Sequence, residues 1–321
     1  MKNSRKLFII SEMILAAALT VVAVAMLREQ SGRELERVSV IIQDSDASQW
    51  SAFKYGLRMA AEDFKMEMSV VGTEGDLTIR EEQQLIEREI ENGTDAVIVQ
   101  PAQEDSAEEI LKKISKKVPV MLVESKLQET SVLPSTTPDN YAMGKAVAEA
   151  LLADCSGSLK GKTLGVLAGT KESEAIKDRR KGLGEAIKDK GGKIIWSVSG
   201  LPDGDEEQFL QKQDAVDFII ALDDGSLVQA GKEAAARDLH GALVYGIGNS
   251  TEAVYYVDSG NVECLVVPDE FNIGYQAFAE VADRLESRFY EMRERTVSHT
   301  VLRRENLFSK ENQEILFTMN Q

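Results

Sequence analysis

Short apolar runs alternate with amphipathic stretches from Val38 onward. The predicted strands of the first half are 38–43, 68–72, 96–100 and 119–123, and the predicted helices are 48–64, 78–92 and 104–116. In the helix predicted over 48–64, Phe53, Leu57, Ala60 and Phe64 fall on one face. Near-continuous apolar strands separated by helices are typical of parallel sheets that are covered on both faces.

The same pattern then begins again. The predicted strands of the second half are 163–167, 193–198, 218–222, 243–247, 264–267 and 297–302, and the predicted helices are 141–152, 173–190, 227–238 and 273–293. Two successive sets of strands and helices of similar size predict an α/β protein with two Rossmann-like lobes.

The first 27 residues differ from this body. Lys2, Arg5 and Lys6 precede an apolar run over 7–27 that is interrupted by Ser11 and Glu12. A basic start before such a run predicts a signal-anchor over 1–27, followed by a short stalk over 28–37. A cleaved signal peptide is the alternative, because Ala23-Val24-Ala25 has the small-x-small pattern of a cleavage site. Either interpretation places the body on the extracytoplasmic face of the membrane, anchored there or released into the cell envelope.

Composition narrows the function further. The formal net charge is −17, and a surface this acidic repels phosphate backbones, so nucleic acid is excluded as an expected partner. Two histidines, His240 and His299, are too few for a metal cluster, and no cofactor or metal is expected. Cys155 and Cys264 are expected to be free thiols, with a disulfide as the alternative.

The sequence lacks complete motifs for nucleotide binding or catalysis. The segment GSLKGKT over 157–163 has three residues between its glycines, where a phosphate-binding loop has four, and it precedes a strand. Gly-Ile-Gly over 246–248 lacks the third glycine of a dinucleotide fingerprint. No nucleophile elbow or zinc-binding helix motif occurs in the sequence. We therefore expect no catalysis.

Six segments occur in the order and at the spacing that are typical of one protein family. They are the strand–loop–helix over 38–62, TDAVIVQP over 94–101, PVMLV over 119–123, DNYAMG over 139–144, the turn from Arg179 to Gly182-Leu183, and GIGN over 246–249. In these segments the chain resembles the type I periplasmic (sugar-type) substrate-binding proteins, the family of ribose- and galactose-binding receptors.

The resemblance implies two lobes with parallel sheets, joined by a three-strand hinge, with the ligand bound between them. The first lobe is expected to hold residues 38–136 plus 269–295, and the second 137–268 plus 296–321. Elementary topology indicates the same ligand site, because open parallel sheets bind ligands beyond the carboxyl ends of their strands.

The resemblance also implies ligand contacts from the first lobe. The loop after the first strand offers Asp44 and Asp46 as hydrogen-bonding groups and Trp50 as an aromatic ring for a sugar face. A core position is the alternative for Trp50. Replacing Trp50 with alanine is expected to abolish binding and to leave the melting point nearly unchanged. Glu124, at the end of the fourth strand, completes this set.

Contacts from the second lobe and the hinge are inferred in the same way. They are Lys177, Asp223, Asn249 and Glu270, of which Lys177 has a solvated surface lysine as its alternative. Arg179 is expected to hold a loop in place. Several residues depart from those of sugar-binding relatives: Ser125, Leu222, Gly248 and Pro268 replace polar or charged groups.

The implied function is a non-enzymatic receptor for a small polar ligand, most simply a sugar. Such a receptor delivers its ligand to an ABC permease or reports its occupancy to a membrane histidine kinase. An anchor without a lipid-modified cysteine favours the second role. An exported enzyme and a repressor-type core on the same scaffold are the alternatives.

Overall fold

Apolar strands alternate with amphipathic helices from Arg37 onward, as the sequence predicts. The computed structural model describes residues 35–75, 77–102, 106–128, 131–169, 172–200 and 210–320. The predicted signal-anchor (1–27) and most of the stalk (28–37) lie outside these residues. Within the described ranges, no helix combines the length and the apolar character needed to cross a membrane. Residues 37–321 form one compact unit.

The first lobe is built on a sheet of six parallel strands. They are β1 (Arg37–Ile41), β2 (Glu67–Val71), β3 (Ala96–Val99), β4 (Val120–Val123), β5 (Ser135–Pro138) and β11 (Arg295–Val297). Their spatial order is β11-β5-β4-β3-β1-β2. Every residue of β3 and β4 is buried, which explains why these two strands are apolar throughout.

The second lobe is built on a second six-stranded sheet. Its strands are β6 (Thr163–Ala168), β7 (Lys193–Ser199), β8 (Phe218–Ala221), β9 (Leu243–Ile247), β10 (Cys264–Pro268) and β12 (His299–Leu302). Their spatial order is β12-β10-β9-β8-β6-β7. The pairing is parallel except between β10 and β12.

Helices cover both faces of each sheet. The helices of the first lobe are α1 (Ser51–Phe64), α2 (Ile79–Glu91), α3 (Ala107–Ile114) and α8 (Glu270–Glu286). Those of the second lobe are α4 (Asn140–Asp154), α5 (Glu174–Ile187), α6 (Asp224–Ala236), α7 (Thr251–Asp258) and α9 (Gln313–Met319). Each sheet separates two apolar cores, so the α/β architecture with two parallel-sheet lobes is confirmed.

The chain passes between the sheets at three closely spaced points. β5 leads into α4, β10 leads into α8, and β11 leads into β12. Asp139 and Asp269 stand at the first two crossings and cap α4 and α8. Their backbone N–H groups donate to the third crossing, at Val297 O (3.0 Å) and Ser298 O (3.1 Å). The three crossings are therefore hydrogen-bonded to one another.

Glycines allow two pairs of helices to approach closely. At Gly144 in α4, an added Cβ would lie 1.9 Å from Arg179 O in α5, and at Gly182 in α5 it would lie 2.0 Å from Tyr141 O. Gly56 and Gly274 make the corresponding contact between α1 and α8. The α4–α5 contact fixes the position of Arg179 against α4.

Some boundaries differ from the sequence predictions. The predicted strand 297–302 is two strands, β11 and β12, one in each sheet. The predicted helix 273–293 starts at Glu270 and ends at Glu286, because Ser287 has an extended backbone. The predicted helix 227–238 starts at Asp224, where the Asp223 side chain caps it. β5, α7 and α9 were not predicted.

The two cysteines are free thiols, as expected. Cys264 is buried in β10, and Cys155 follows α4 and is partly exposed.

Candidate functional site

A cavity of about 180 Å³ lies between the two lobes. Since one water molecule needs roughly 10–15 Å³ on the same scale, this space suits a small molecule. Its walls come from the carboxyl ends of strands in both sheets, the position that the topology predicts. The lining residues include Gln43, Trp50, Gln100, Glu124, Ser125, Ser173, Arg179, Asp223, Asp224, Asn249, Pro268 and Glu270.

Arg179 is the one cationic residue of this lining within the described part of the chain. It lies in α5 and is 8% exposed. Its Nε donates to Asn140 Oδ1 at 2.7 Å and its Nη1 donates to Leu222 O at 2.8 Å. Burial lowers the pKa of Arg179, while Glu124, Asp223 and Glu270 raise it. Arg179 thus ties α5 to α4 and to the end of β8, and it also presents its charge to the cavity.

Glu124 and Glu270 form a pair of carboxyl groups on the first-lobe side. Glu124 follows β4 with a left-handed backbone (φ 68°), which turns the chain at the cavity wall. Burial raises the pKa of Glu124, and Arg179 and a hydrogen bond with Glu270 act in the opposite direction. The pKa of Glu270 is raised well above its ordinary value by burial and by Glu124. Burial thus disfavours the charged form of both carboxyl groups.

Asp223 and Asp224 form the second-lobe side. Asp223 accepts hydrogen bonds from Gly169 N at 2.9 Å and from Ser226 N at 2.9 Å. Asp224 Oδ1 accepts from Asn249 N at 2.8 Å and Ser250 N at 2.9 Å. Burial raises the pKa of Asp224, and these backbone donors oppose the increase. Asp223 and Asp224 thus fix the loops that surround the cavity.

Asn249 connects the lobes across the cavity. Its side-chain amide donates to Glu270 Oε1 at 2.8 Å and to Gln49 O at 3.3 Å, both in the first lobe. A second connection runs from Ala175 N to Ser125 Oγ at 3.4 Å. Away from the cavity, α9 packs Met319 into the second-lobe core, while the ring of Phe317 lies 6.3 Å from that of Tyr55. Relative motion of the lobes must break or rearrange these contacts.

Trp50 lines the cavity and also belongs to the core of the first lobe. It is 3% exposed, its ring meets Phe53 edge-on at 5.4 Å, and its Nε1 donates to Gln43 O at 3.0 Å. A core position and a cavity position were alternatives in the sequence analysis, and Trp50 occupies both in the structure.

The structure brings together five of the eight predicted contact residues. Trp50, Glu124, Asp223, Asn249 and Glu270 line the cavity, whereas Asp44, Asp46 and Lys177 do not. Asp44 and Asp46 are exposed in the loop after β1. Lys177 Nζ binds Glu174 Oε1 at 2.7 Å on the surface of α5, and that hydrogen bond raises the pKa of Lys177. Its placement agrees with the solvated-lysine alternative.

Sequence reasoning missed several cavity residues. Arg179 was assigned only to holding a loop, and Gln43, Gln100 and Asp224 were not predicted as ligand contacts. Their position at strand ends was a usable signal for the two glutamines and for Asp224. The burial of Arg179 depends on the close approach of α4 and α5, which no local pattern reveals.

A family model described as a periplasmic binding protein domain matches residues 38–288. The chain belongs to this family. The match confirms the family resemblance found in the sequence, and the two-lobed structure agrees with it. No curated protein sequence matches this periplasmic binding protein.

Solved structures of the same fold include several solute-binding proteins. A carbohydrate transporter solute binding protein from Agrobacterium radiobacter, in complex with D-arabinose, has a TM-score of 0.77 at 16% identity, over 88% of this chain and 99% of that one. GanP, a glucose-galactose binding protein from Geobacillus stearothermophilus, has a TM-score of 0.73 at 18% identity, over 86% and 100%.

A chain of the XylFII–LytSN complex has a TM-score of 0.72 at 15% identity, over 84% of this chain and 99% of that one. At identities of 15–18%, the likeness shows the fold and does not identify a ligand. The ligand class of this periplasmic binding protein is therefore inferred from its own cavity.

Proposed function

We propose that the protein is a solute-binding receptor that encloses a small polar ligand, of the carbohydrate class, between its two lobes. The observation that carries this proposal is the interlobe cavity, because it has polar walls from both lobes and lies at the carboxyl ends of both sheets. A ligand favours closure only as far as it contacts both lobes, and this cavity offers such contacts.

Within this proposal the ligand is held by Trp50, Glu124, Asp223, Asn249 and Glu270, together with Arg179. Carboxylate and amide groups bind hydroxyl groups through paired hydrogen bonds, and the indole ring supplies an apolar wall. Asp44, Asp46 and Lys177 do not line the cavity, and their contact with a ligand stays a prediction. Neither His240 nor His299 lies in the cavity lining, and the proposed receptor is not an enzyme.

The receptor is proposed to act outside the cytoplasmic membrane, anchored by residues 1–27. In this arrangement its occupancy is reported to a membrane partner such as a histidine kinase. The fold is compatible with protein partners, since one structural neighbour is a chain of the XylFII–LytSN complex. Delivery to an ABC permease is the second candidate, supported by the neighbour described as a carbohydrate transporter solute binding protein.

Thermal unfolding of the full chain in lipid nanodiscs tests this function. We expect at least one compound from a panel of pentoses, hexoses, polyols, nucleosides and furanones to stabilise the protein. The gain should be about 2.7 kcal/mol at 100 times the dissociation constant. Asn249→Ala should weaken the stabilisation, whereas Lys177→Ala, outside the cavity, should leave it unchanged. A panel without a stabilising compound, or hits that are insensitive to Asn249→Ala, would contradict the proposal.

A further inference from the structure

The cavity is more acidic than a neutral ligand requires. Among the residues that the structure describes, four acidic ones line it, Glu124, Asp223, Asp224 and Glu270, against the single cation Arg179. Arg179 directs its Nε and Nη1 to uncharged acceptors, Asn140 Oδ1 and Leu222 O. Its charge therefore compensates the acidic groups only in part.

The four acidic groups differ in how well they are satisfied. Asp223 and Asp224 each accept two backbone N–H groups. Glu270 Oε1 accepts the Asn249 amide. Glu124 Oε1 and Glu270 Oε2 are buried and have no donor partner among the described residues. Glu270 is 3% exposed and lines the cavity, so a ligand that fills the cavity lies against this side chain.

The two unpaired carboxyl oxygens at the cavity wall can accept hydrogen bonds from a ligand. Their negative charge favours a ligand that is a cation. A hydroxyl group supplies one donor and leaves the charge uncompensated, whereas an ammonium group supplies three donors and a positive charge. A metal ion is a poorer fit, because the described part of the chain holds no group of three His, Cys, Asp or Glu side chains arranged around a metal position.

We propose that the cavity selects a small polyhydroxylated ligand that carries a protonated amine, such as an amino sugar, and that the amine binds Glu124 and Glu270. The proposal rests on the receptor function proposed above and narrows its ligand class. Arg179, Asp223 and Asp224 are the other charged groups that face this pair.

Matched ligand pairs test the proposal on the full chain in nanodiscs. The pairs are D-glucosamine and D-glucose, D-galactosamine and D-galactose, and D-mannosamine and D-mannose, each with the N-acetyl derivative as a neutral nitrogen control. A pH of about 6.5 keeps the amines charged, since free α-amino groups titrate at about 7.7–8.0. Calorimetry should show that at least one amine binds ten-fold or more tightly than its hydroxyl and N-acetyl counterparts.

Two variants assign that preference to the carboxyl pair. Glu270→Gln keeps the shape of the side chain and removes its charge. The variant should therefore reduce the preference for the amine over the hydroxyl ligand to less than about three-fold in affinity, which is under half of a ten-fold step on a logarithmic scale. Glu124→Gln is the second variant and should act in the same direction. Glu174→Gln, on α5 but outside the cavity lining, should keep the full preference.

The Glu270→Gln variant is expected to fold, because the glutamine side-chain oxygen can still accept the Asn249 amide hydrogen bond. Because the pKa of Glu270 is raised in the folded protein, stability due to this group falls as pH rises above the unfolded value. The variant should therefore melt at a higher temperature than the wild type near neutral pH.

The outcomes separate this proposal from the receptor function. Neutral sugars that bind as tightly as their amines, or an amine preference that survives in both Glu→Gln variants, would overturn the ligand class and leave the receptor standing. If no compound of either kind binds, both proposals are overturned.

Discussion

Replacing Arg179 with methionine is expected to lower the free energy of unfolding by about 3–5 kcal/mol near pH 7. Arg179 is 8% exposed and faces Glu124, Asp223 and Glu270. Methionine fills similar space but leaves these carboxyl groups without their cation, and it leaves Asn140 Oδ1 and Leu222 O without their donors. Urea-induced unfolding of the two proteins measures the difference.

The neighbouring residue provides a matched control. Arg180 lies on the same helix, and its guanidinium group contacts Glu172 and donates to the hydroxyl groups of Ser197 and Ser199 on the partly exposed surface. Arg180→Met should change the free energy of unfolding by no more than about 1 kcal/mol. Equal effects of the two substitutions would refute the role given to Arg179.

The loss in free energy of unfolding caused by Arg179→Met should also depend on pH. Arg179 lowers the pKa of both Glu124 and Glu270, so its charge stabilises the folded protein through these groups only while they are ionised. As pH falls and the carboxyl groups become protonated, the stability difference between the two proteins should shrink to the part that comes from the hydrogen bonds to Asn140 and Leu222. A deficit that grows on acidification would contradict the charge argument.

Replacing Trp50 with alanine is expected to lower the free energy of unfolding by about 3–5 kcal/mol. The ring is 3% exposed and packs edge-on against Phe53, so its removal leaves a void in the first-lobe core. This expectation replaces the one drawn from the sequence, in which the Trp50 ring stacks on a sugar face and its removal leaves the melting point nearly unchanged.

Trp50→Phe separates packing from hydrogen bonding. Phenylalanine retains most of the apolar contact and loses the Nε1 bond to Gln43 O, so the cost should be about 1 kcal/mol. Chemical denaturation of both variants, combined with ligand binding, checks the dual position. A Trp50→Ala protein that unfolds like the wild type but no longer binds would place the indole in the cavity alone.

Regular elements with a strong pattern were predictable from the sequence. β3 and β4 are fully buried and apolar, and α2 has a Thr78–Glu81 capping box at its start. β5 escaped prediction because its residues, Ser-Thr-Thr-Pro, are polar, although all four are buried. Its strand geometry comes from pairing with β4 and β11, which are distant in sequence.

The site was predictable in part for the same reason. Glu124, Asp223 and Asn249 lie within two residues of a strand end, so topology alone brings them to one edge. The contact between Glu124 and Glu270 depends on how α8 begins after the second crossing, and the burial of Arg179 depends on Gly144 and Gly182. These are long-range packing effects, and a single sequence contains no local signal for them.

In the proposed receptor, ligand enclosure and lobe movement are one event. Double electron–electron resonance between nitroxides at Glu109→Cys in α3 and Phe308→Cys after β12, in a Cys155→Ser background, tests it most directly. Both positions are exposed, and they belong to different lobes. Adding the solute found by the thermal screen should narrow the distance distribution to one population, and Asn249→Ala should weaken that change. A solute that binds in the cavity without altering the distribution would contradict the account.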